Sequence, residues 1–277
     1  MNYIRVKTDG LFNSMRKFPS EIKKIVIKVS TQMITDGVAE IYYDRIKEFV
    51  KEVAELIKEG YSIVIVSSGA IGCGLAKLGL KKRPNEYKKL QALASVGQIH
   101  LMSIYQEEFN KHGLNIGQIL LSADDTKDST RRSNVRNTLD VLMEKKIVPI
   151  INENDSVAIE ELSYGDNDTL SALVSILLFV DLSIILTDVE GLYDKNPKIH
   201  NDSKLVRQVD TITEDLEKLV QDIDGAITFG GMTSKIRAVK KLTNIGIPAI
   251  ITSFNNENIL KRILEGEELG TYFLAQK

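Results

Sequence analysis

Residues 46–66, IKEFVKEVAELIKEGYSIVIV, change their hydrophobic period within a single stretch. Ile46, Phe49, Val50, Val53, Leu56 and Ile57 recur at spacings of three and four, the stripe of a helix with one buried face, and Gly60 closes it as a C-terminal cap does. From Tyr61 the run YSIVIV is short, β-branched and continuous, the pattern of a strand covered on both faces. Upstream, IVIKV at residues 25–29 has the same character, so residues 25–66 read as one strand–helix–strand unit of a parallel sheet.

The alternation continues outward. Helices are predicted from about Glu86 to Lys111, from about Ser133 to Lys145, from Asp168 to Val180 and from about Thr233 to Asn244. Strands are predicted at IGQILL from Ile116, IVPII from Ile147, SIILT ending at Thr187, KLVRQV at residues 204–209, PAIIT from Pro248 and TYFLA from Thr271. The expected fold class is α/β: an open, mainly parallel sheet sandwiched between helices in three layers. No Gly/Ser/Pro-rich linker and no short repeat divides the chain, which points to one continuous sheet with two lobes.

Composition narrows the function. The chain has 277 residues and a formal charge of −2, which excludes the basic balance of a dedicated nucleic-acid binder. A single cysteine, Cys73, excludes an internal disulfide framework, and three scattered histidines make a His-based metal cluster a poor expectation. No apolar run reaches the roughly 20 residues that span a bilayer, and the N-terminus lacks the apolar core of a secretory signal. A soluble protein of the cytoplasm is expected.

In open α/β sheets ligands gather beyond the carboxyl ends of the strands. Four such loops are rich in polar groups: Lys28–Thr31, Ser67–Gly74, Asn152–Asp155 and Thr187–Asp188. In the second, Ser67 and Ser68 precede Gly69, Gly72 and Gly74, which is either an anion cradle of backbone N–H groups or a tight strand-to-helix corner. Gly165-Asp166-Asn167-Asp168 opens the apolar helix. One acid there is explained as an N-cap, whereas two acids and an amide, with Asn152, Asn154 and Asp155 upstream, suggest a pocket for an ammonium or a Mg-bound phosphate. Phe229-Gly230-Gly231-Met232-Thr233-Ser234-Lys235 reads as a loop entering a helix, with a lysine in the first turn that opposes the dipole unless an anion lies between them. The mixed-charge segment 122–136 reads as a solvated loop. GxxxxGK[ST], GxGxxG, protein-kinase and GxSxG signatures are all absent.

In order, VSSGAIGCG, INENDSVA, GDNDTLSAL, ILTDVEGLY and GGMTSK resemble the glutamate 5-kinase branch of the amino acid kinase family, from about Ile25 to the terminal TYFLAQ. The resemblance implies a leader over residues 1–24, then a kinase domain over 25–277 with an amino-acid-binding lobe at about 25–180 and a nucleotide-binding lobe at about 181–277. It also leads one to expect a chain that ends without the PUA domain many members append. The implied activity is ATP- and Mg-dependent phosphorylation of the L-glutamate side chain to L-glutamyl 5-phosphate, the first step of proline biosynthesis. By the same resemblance Lys28, Asp168 and Lys235 are catalytic; Ser68, Gly69, Ala70, Asp155 and Asn167 hold glutamate. Lys28, Thr187, Asp188 and Phe229, Gly230, Gly231, Met232, Thr233, Ser234 and Lys235 hold the nucleotide, and no residue is assigned as a metal ligand.

Family likeness further implies a homodimer or tetramer, proline as feedback inhibitor near segment 122–136, and work beside the glutamyl phosphate reductase; neither nucleic acid nor membrane is a partner. Two departures from the family pattern touch the ATP side: Ser30 stands where glycine is usual, and Ala226-Ile227-Thr228-Phe229 replaces a more glycine-rich run. They leave two alternatives, a non-catalytic or altered-donor amino-acid-sensing paralogue and a kinase for another small acid such as N-acetylglutamate. An ammonium pocket at Asp155 and Asn167 argues against an N-acylated substrate, whose nitrogen carries no charge.

Overall fold

The computed structural model describes residues 4–5, 15–37, 40–157, 167–197, 199–224 and 231–276. The chain runs through β1 (Ile4–Arg5), β2 (Lys24–Val29), α1 (Thr31–Ile34), α2 (Tyr43–Lys58), β3 (Ser62–Ser67), α3 (Ala70–Lys77) and α4 (Tyr87–Asn110). Next come β4 (Ile116–Leu121), α5 (Ala123–Lys127), α6 (Ser129–Glu144), β5 (Val148–Glu153), α7 (Asn167–Leu178) and β6 (Leu182–Thr187). It closes with β7 (Gln208–Val209), α8 (Glu214–Asp224), α9 (Met232–Thr243), β8 (Ala249–Ser253), α10 (Ile259–Leu264) and β9 (Thr271–Phe273).

The strands form one sheet in the order β1-β7-β9-β8-β6-β2-β3-β5-β4. Every neighbouring pair from β4 to β8 is parallel, while β8–β9 and β1–β7 are antiparallel. Side chains alternate along each strand, so Ile25, Ile27 and Val29 face one helical layer and Val26 faces the other. The first set packs with Ile63, Ile65 and Ile184 under α2 and α4, where Phe49, Val53, Leu101 and Tyr105 are buried. Val26, Val64, Val66 and Ile185 pack on the opposite face with Leu170 and Val174 of α7 and Ile236 and Val239 of α9. The three-layer α/β arrangement expected from sequence is therefore present.

From β2 the chain passes through α2 to β3 on one side, and from β5 through α7 it returns to β6 on the other. β2 thus lies at the point where strand order reverses, the place where open sheets form a crevice. The Asp181 carboxylate accepts N–H bonds from Lys23 and Lys24 at 2.9 and 2.7 Å, aligning the starts of β6 and β2. Register then aligns their ends: Val29 lies opposite Ser67 of β3 and Leu186 of β6.

Two expectations fail. Segment 122–136 is α5 and the first half of α6, not a loop: Ser122 and the Asp125 side chain make a reciprocal capping box, and the Asp128 carboxylate caps α6 by accepting the Arg131 N–H at 2.8 Å. The charges are mostly solvent-facing as read, but they sit on helices. In the run 204–209 only Gln208 and Val209 join the sheet, because the earlier part turns back on the preceding loop, with Val206 N–H donating to Leu192 O and Leu205 bridging Tyr193.

Candidate active site

Lys28 occupies a strand position where pattern alone calls for valine. It shares the face of Val26, so its side chain runs beneath α7 and α9. There it meets Asp168, the second residue of α7, where a carboxylate also complements the helix dipole. Lys28 Nζ is 2.6 Å from Asp168 Oδ1, and Lys235 Nζ, from the first turn of α9, is 3.4 Å from Oδ2. Ser234 Oγ donates to Oδ2 at 2.8 Å. The carboxylate is fully buried and each lysine is 4% exposed. Burial pushes the Asp168 pKa up, but the two ammonium groups and the Ser234 hydroxyl outweigh it and hold the acid below the usual carboxylate range. Asp168 thus lies within the helix and clamps two cations, which explains its acid beyond simple capping.

A second cluster lies over β3 and β5. Asn167 Nδ2 reaches Ser67 O at 3.0 Å, Ser68 Oγ at 2.9 Å and Asn152 Oδ1 at 2.9 Å, while its own Oδ1 is buried without a partner among the described residues. Asn152 in turn donates from Nδ2 to Gln98 Oε1 of α4 at 2.8 Å. Ser67 Oγ is 3.1 Å from the Tyr105 hydroxyl, so α4 braces this loop twice. Asp155 follows the cluster; burial raises its pKa to about 6, against a smaller opposing pull from Arg83. An acceptor with no donor and a carboxylate short of positive charge together suit an ammonium ligand.

Of the three glycines after Ser68, two serve packing. A Cβ on Gly72 would meet Thr35 Cγ2 at 2.4 Å, and one on Gly74 would meet Leu93 O of α4 at 2.1 Å. Gly69 alone makes the corner, at φ 103°, and opens α3 with no side chain capping the first N–H groups. Ser68, Gly69 and Ala70 therefore stand at the same sheet edge as Asn167.

On the other side of β2, Thr187 ends β6 and donates to Asp188 Oδ1 at 3.1 Å. Gly231 is the N-cap of α9, followed by Met232, Thr233, Ser234 and Lys235. Phe229, Gly230 and the departures at 226–228 lie outside the described residues, as do Gly165 and Asp166. Ser30 adopts φ −77° and ψ 159°, a conformation any residue takes, so its replacement of glycine brings no backbone strain. Burial lifts the Cys73 thiol to about 12, which leaves the lone cysteine inert.

Gln98 escaped the sequence reading. Its signal is a single amide in the buried stripe of α4, between Leu93, Ala94, Leu101 and Tyr105. Among the described residues no group of three or more His, Cys, Asp or Glu could hold a metal ion. Both Asp168 oxygens are already engaged by cations. A cation carried on nucleotide phosphates needs no such cage, so this donor set fits a magnesium that arrives with its nucleotide.

The model of the amino acid kinase family matches residues 23–253. A glutamate 5-kinase of Clostridium tetani is 40% identical over 264 residues, covering 95% of this chain and 98% of its own. That of Lactococcus lactis is 40% identical, covering 93% and 97%, and that of Caldanaerobacter subterraneus 41% identical, with 92% of this chain matching 68% of a longer one. Among solved structures, a UMP kinase from Bacillus anthracis superposes with a TM-score of 0.62 at 14% identity, over 93% of this chain and 98% of its own, which shows the fold. The chain belongs to the amino acid kinase family and, within it, to the glutamate 5-kinases.

Proposed function

We propose that the chain transfers the γ-phosphoryl group of ATP to the side-chain carboxylate of L-glutamate, giving ADP and L-glutamyl 5-phosphate. The observation that carries this reading is the convergence of Lys28 and Lys235 on one buried carboxylate at the switch point of the sheet. A glutamate carboxyl with an ordinary pKa near 4.3 is ionised at neutral pH, so its oxygen attacks phosphorus without a general base. The bond from γ-phosphorus to the β,γ-bridging oxygen breaks, that oxygen leaves with its electron pair on ADP, and no proton moves. The barrier is repulsion between an anionic nucleophile and a polyanion, which positioned cations lower as charge spreads over the phosphoryl oxygens.

In this reading Asp168 sets the spacing and direction of the two ammonium groups. Glutamate lies over β3 and β5: its ammonium group meets Asp155 and Asn167 Oδ1, and its α-carboxylate meets Ser68 and the N–H groups at Gly69 and Ala70 that open α3. The nucleotide lies over β6 and α9, against Thr187, Asp188 and residues 229–235. Magnesium bound to its phosphates would supply further charge neutralisation. This reading assigns the amino acid to a lobe at about 25–180 and the nucleotide to one at about 181–277.

The proposal extends to a cytoplasmic homodimer or tetramer restrained by proline. Since an acyl phosphate hydrolyses readily, a reductase that consumes it belongs close by. Trapping the product with hydroxylamine tests the reaction. Glutamyl hydroxamate should form only with glutamate, ATP and Mg together, and less of it with proline present; ADP release without hydroxamate would overturn the reading.

A further inference from the structure

Ser30 continues β2 by one residue. Its N–H donates to Leu186 O of β6 at 3.2 Å, and its backbone remains extended. By strand alternation its side chain shares the face of Val26 and Lys28, the face covered by α7 and α9. The residue is 4% exposed, and its Oγ is buried with no hydrogen-bond partner among the described residues. It stands at the N-cap position of α1, yet its side chain accepts no capping N–H.

Buried hydroxyls are ordinarily paired, because burial removes water as a partner. Here neither the described residues nor bulk solvent satisfies the group. Two residues before it, on the same face, the Lys28 ammonium group is taken up by Asp168. The hydroxyl is thus a neutral donor left over beside a cluster in which both ammonium groups already face Asp168. Its place also selects the ligand. β2 separates the acid-binding cluster over β3 and β5 from Thr187 and Asp188 at the end of β6. A group passing from nucleotide to carboxylate must cross above β2, where Ser30 ends the strand.

We infer that the Ser30 hydroxyl donates a hydrogen bond to an oxygen of the transferring phosphoryl group, as a third donor beside Lys28 and Lys235. This rests on the kinase reading above. The hydrogen bond forms with the phosphoryl group in flight more strongly than with ATP at rest, so it acts on turnover more than on affinity.

The test compares Ser30→Ala and Ser30→Thr with the unaltered chain. The wild-type chain is first shown to form glutamyl hydroxamate; failure at that step would remove the kinase reading itself. With that activity in hand, Ser30→Ala should lower kcat about tenfold, less than the roughly 10²–10³ lost with a principal oxyanion donor, because Lys28 and Lys235 still neutralise the phosphoryl oxygens. KM for glutamate should change less than twofold, and Ser30→Thr, which keeps the hydroxyl, should restore most of the rate. Equilibrium binding gives an independent readout: Ser30→Ala should weaken ADP with aluminium fluoride, a mimic of the phosphoryl in transit, about tenfold while leaving ADP alone unchanged. Wild-type kcat and aluminium fluoride affinity in Ser30→Ala, with a higher Tm, would mark the hydroxyl as a mere packing defect and overturn the inference.

Discussion

Lys28 Nζ and Asp168 Oδ1 meet at 2.6 Å inside the protein, and the same carboxylate faces Lys235 through its other oxygen. Removing the acid therefore leaves two buried cations without a counter-charge. Asp168→Ala should cost about 3–5 kcal/mol of stability, as loss of one partner from a buried ion pair does. Lys28→Met leaves Asp168 paired with Lys235; it should cost less stability yet lower turnover by about 10² or more. Urea unfolding read beside hydroxamate formation separates the two effects. The pH dependence has a definite sign. Because the folded pKa of Asp168 is depressed, its stabilisation is complete above the unfolded value near 3.9 and is lost as pH falls below that toward the folded value. Asp168→Asn should lack that acid-limb decline.

Asp155 has the opposite linkage. Its folded pKa of about 6 lies above the ordinary 3.8, so the charged form is penalised in the folded state. The penalty is fully present above pH 6 and disappears as pH falls toward the unfolded value. Asp155→Asn should raise Tm at pH 7.5 and leave it unchanged at pH 3.5. Substrate binding should move the other way, since only the carboxylate form pairs with an ammonium group. Below pH 6 the wild-type KM for glutamate should rise about tenfold per pH unit, while the substrate's own side chain, with a pKa near 4.3, stays ionised to about pH 5. The Asn variant should show a high KM with no such slope between pH 5 and 7.

The contrast between Lys28 and Gln98 shows how much of this site is legible in the chain. Lys28 interrupts a five-residue β-branched run, and a charge within a doubly covered strand stands out at once. Asp168 and Lys235 are legible as an acid and a cation at helix starts, one where capping explains only part of the local charge and the other set against the dipole. Gln98 lies about 50 residues from the loop it supports, and no local rule links an amide in a helical stripe to Asn152. Helix α5 is hidden by charge: segment 122–136 reads as solvated, and its helical state depends on caps. Residues 214–224 carry no predicted element, and α8 there buries Leu216 and Val220. The parallel order of β4 to β8 follows from alternation of period. The short β7 depends on a turn-back at 192–206 that periodicity does not encode.

The amide chain from Asn167 through Asn152 to Gln98 should govern substrate affinity more than chemistry. Asn167→Ala removes the donor that ties Ser67 and Ser68 to β5, and it removes the acceptor proposed for the substrate ammonium group. KM for glutamate should rise at least tenfold. Gln98→Ala leaves Asn152 Nδ2 without its acceptor in a buried site, which should raise KM severalfold and cost about 1–3 kcal/mol of stability. Initial-rate measurements at varied glutamate and fixed ATP check both; an unchanged KM in either variant would rule out the relay.

The site also depends on a helix contact made by backbone rather than by polar side chains. α3, which opens directly on the Ser68–Ala70 corner, crosses α4 so closely that a Cβ on Gly97 would lie 1.8 Å from Ala70 O and 2.3 Å from Gly74 N. Those atoms are backbone, so no side chain can swing aside, and the helices must separate. Gly97→Ala should therefore destabilise the fold by about 3 kcal/mol, the upper end for overpacking a close-fitted core. Because Ala70 begins α3, the displacement also reaches the N–H groups assigned to the substrate carboxylate. KM for glutamate should rise in Gly97→Ala while KM for ATP, whose proposed contacts lie across β2, stays within twofold. Equal loss of both affinities would mean that the damage spreads through the whole sheet and that the two halves of the crevice are not mechanically separate.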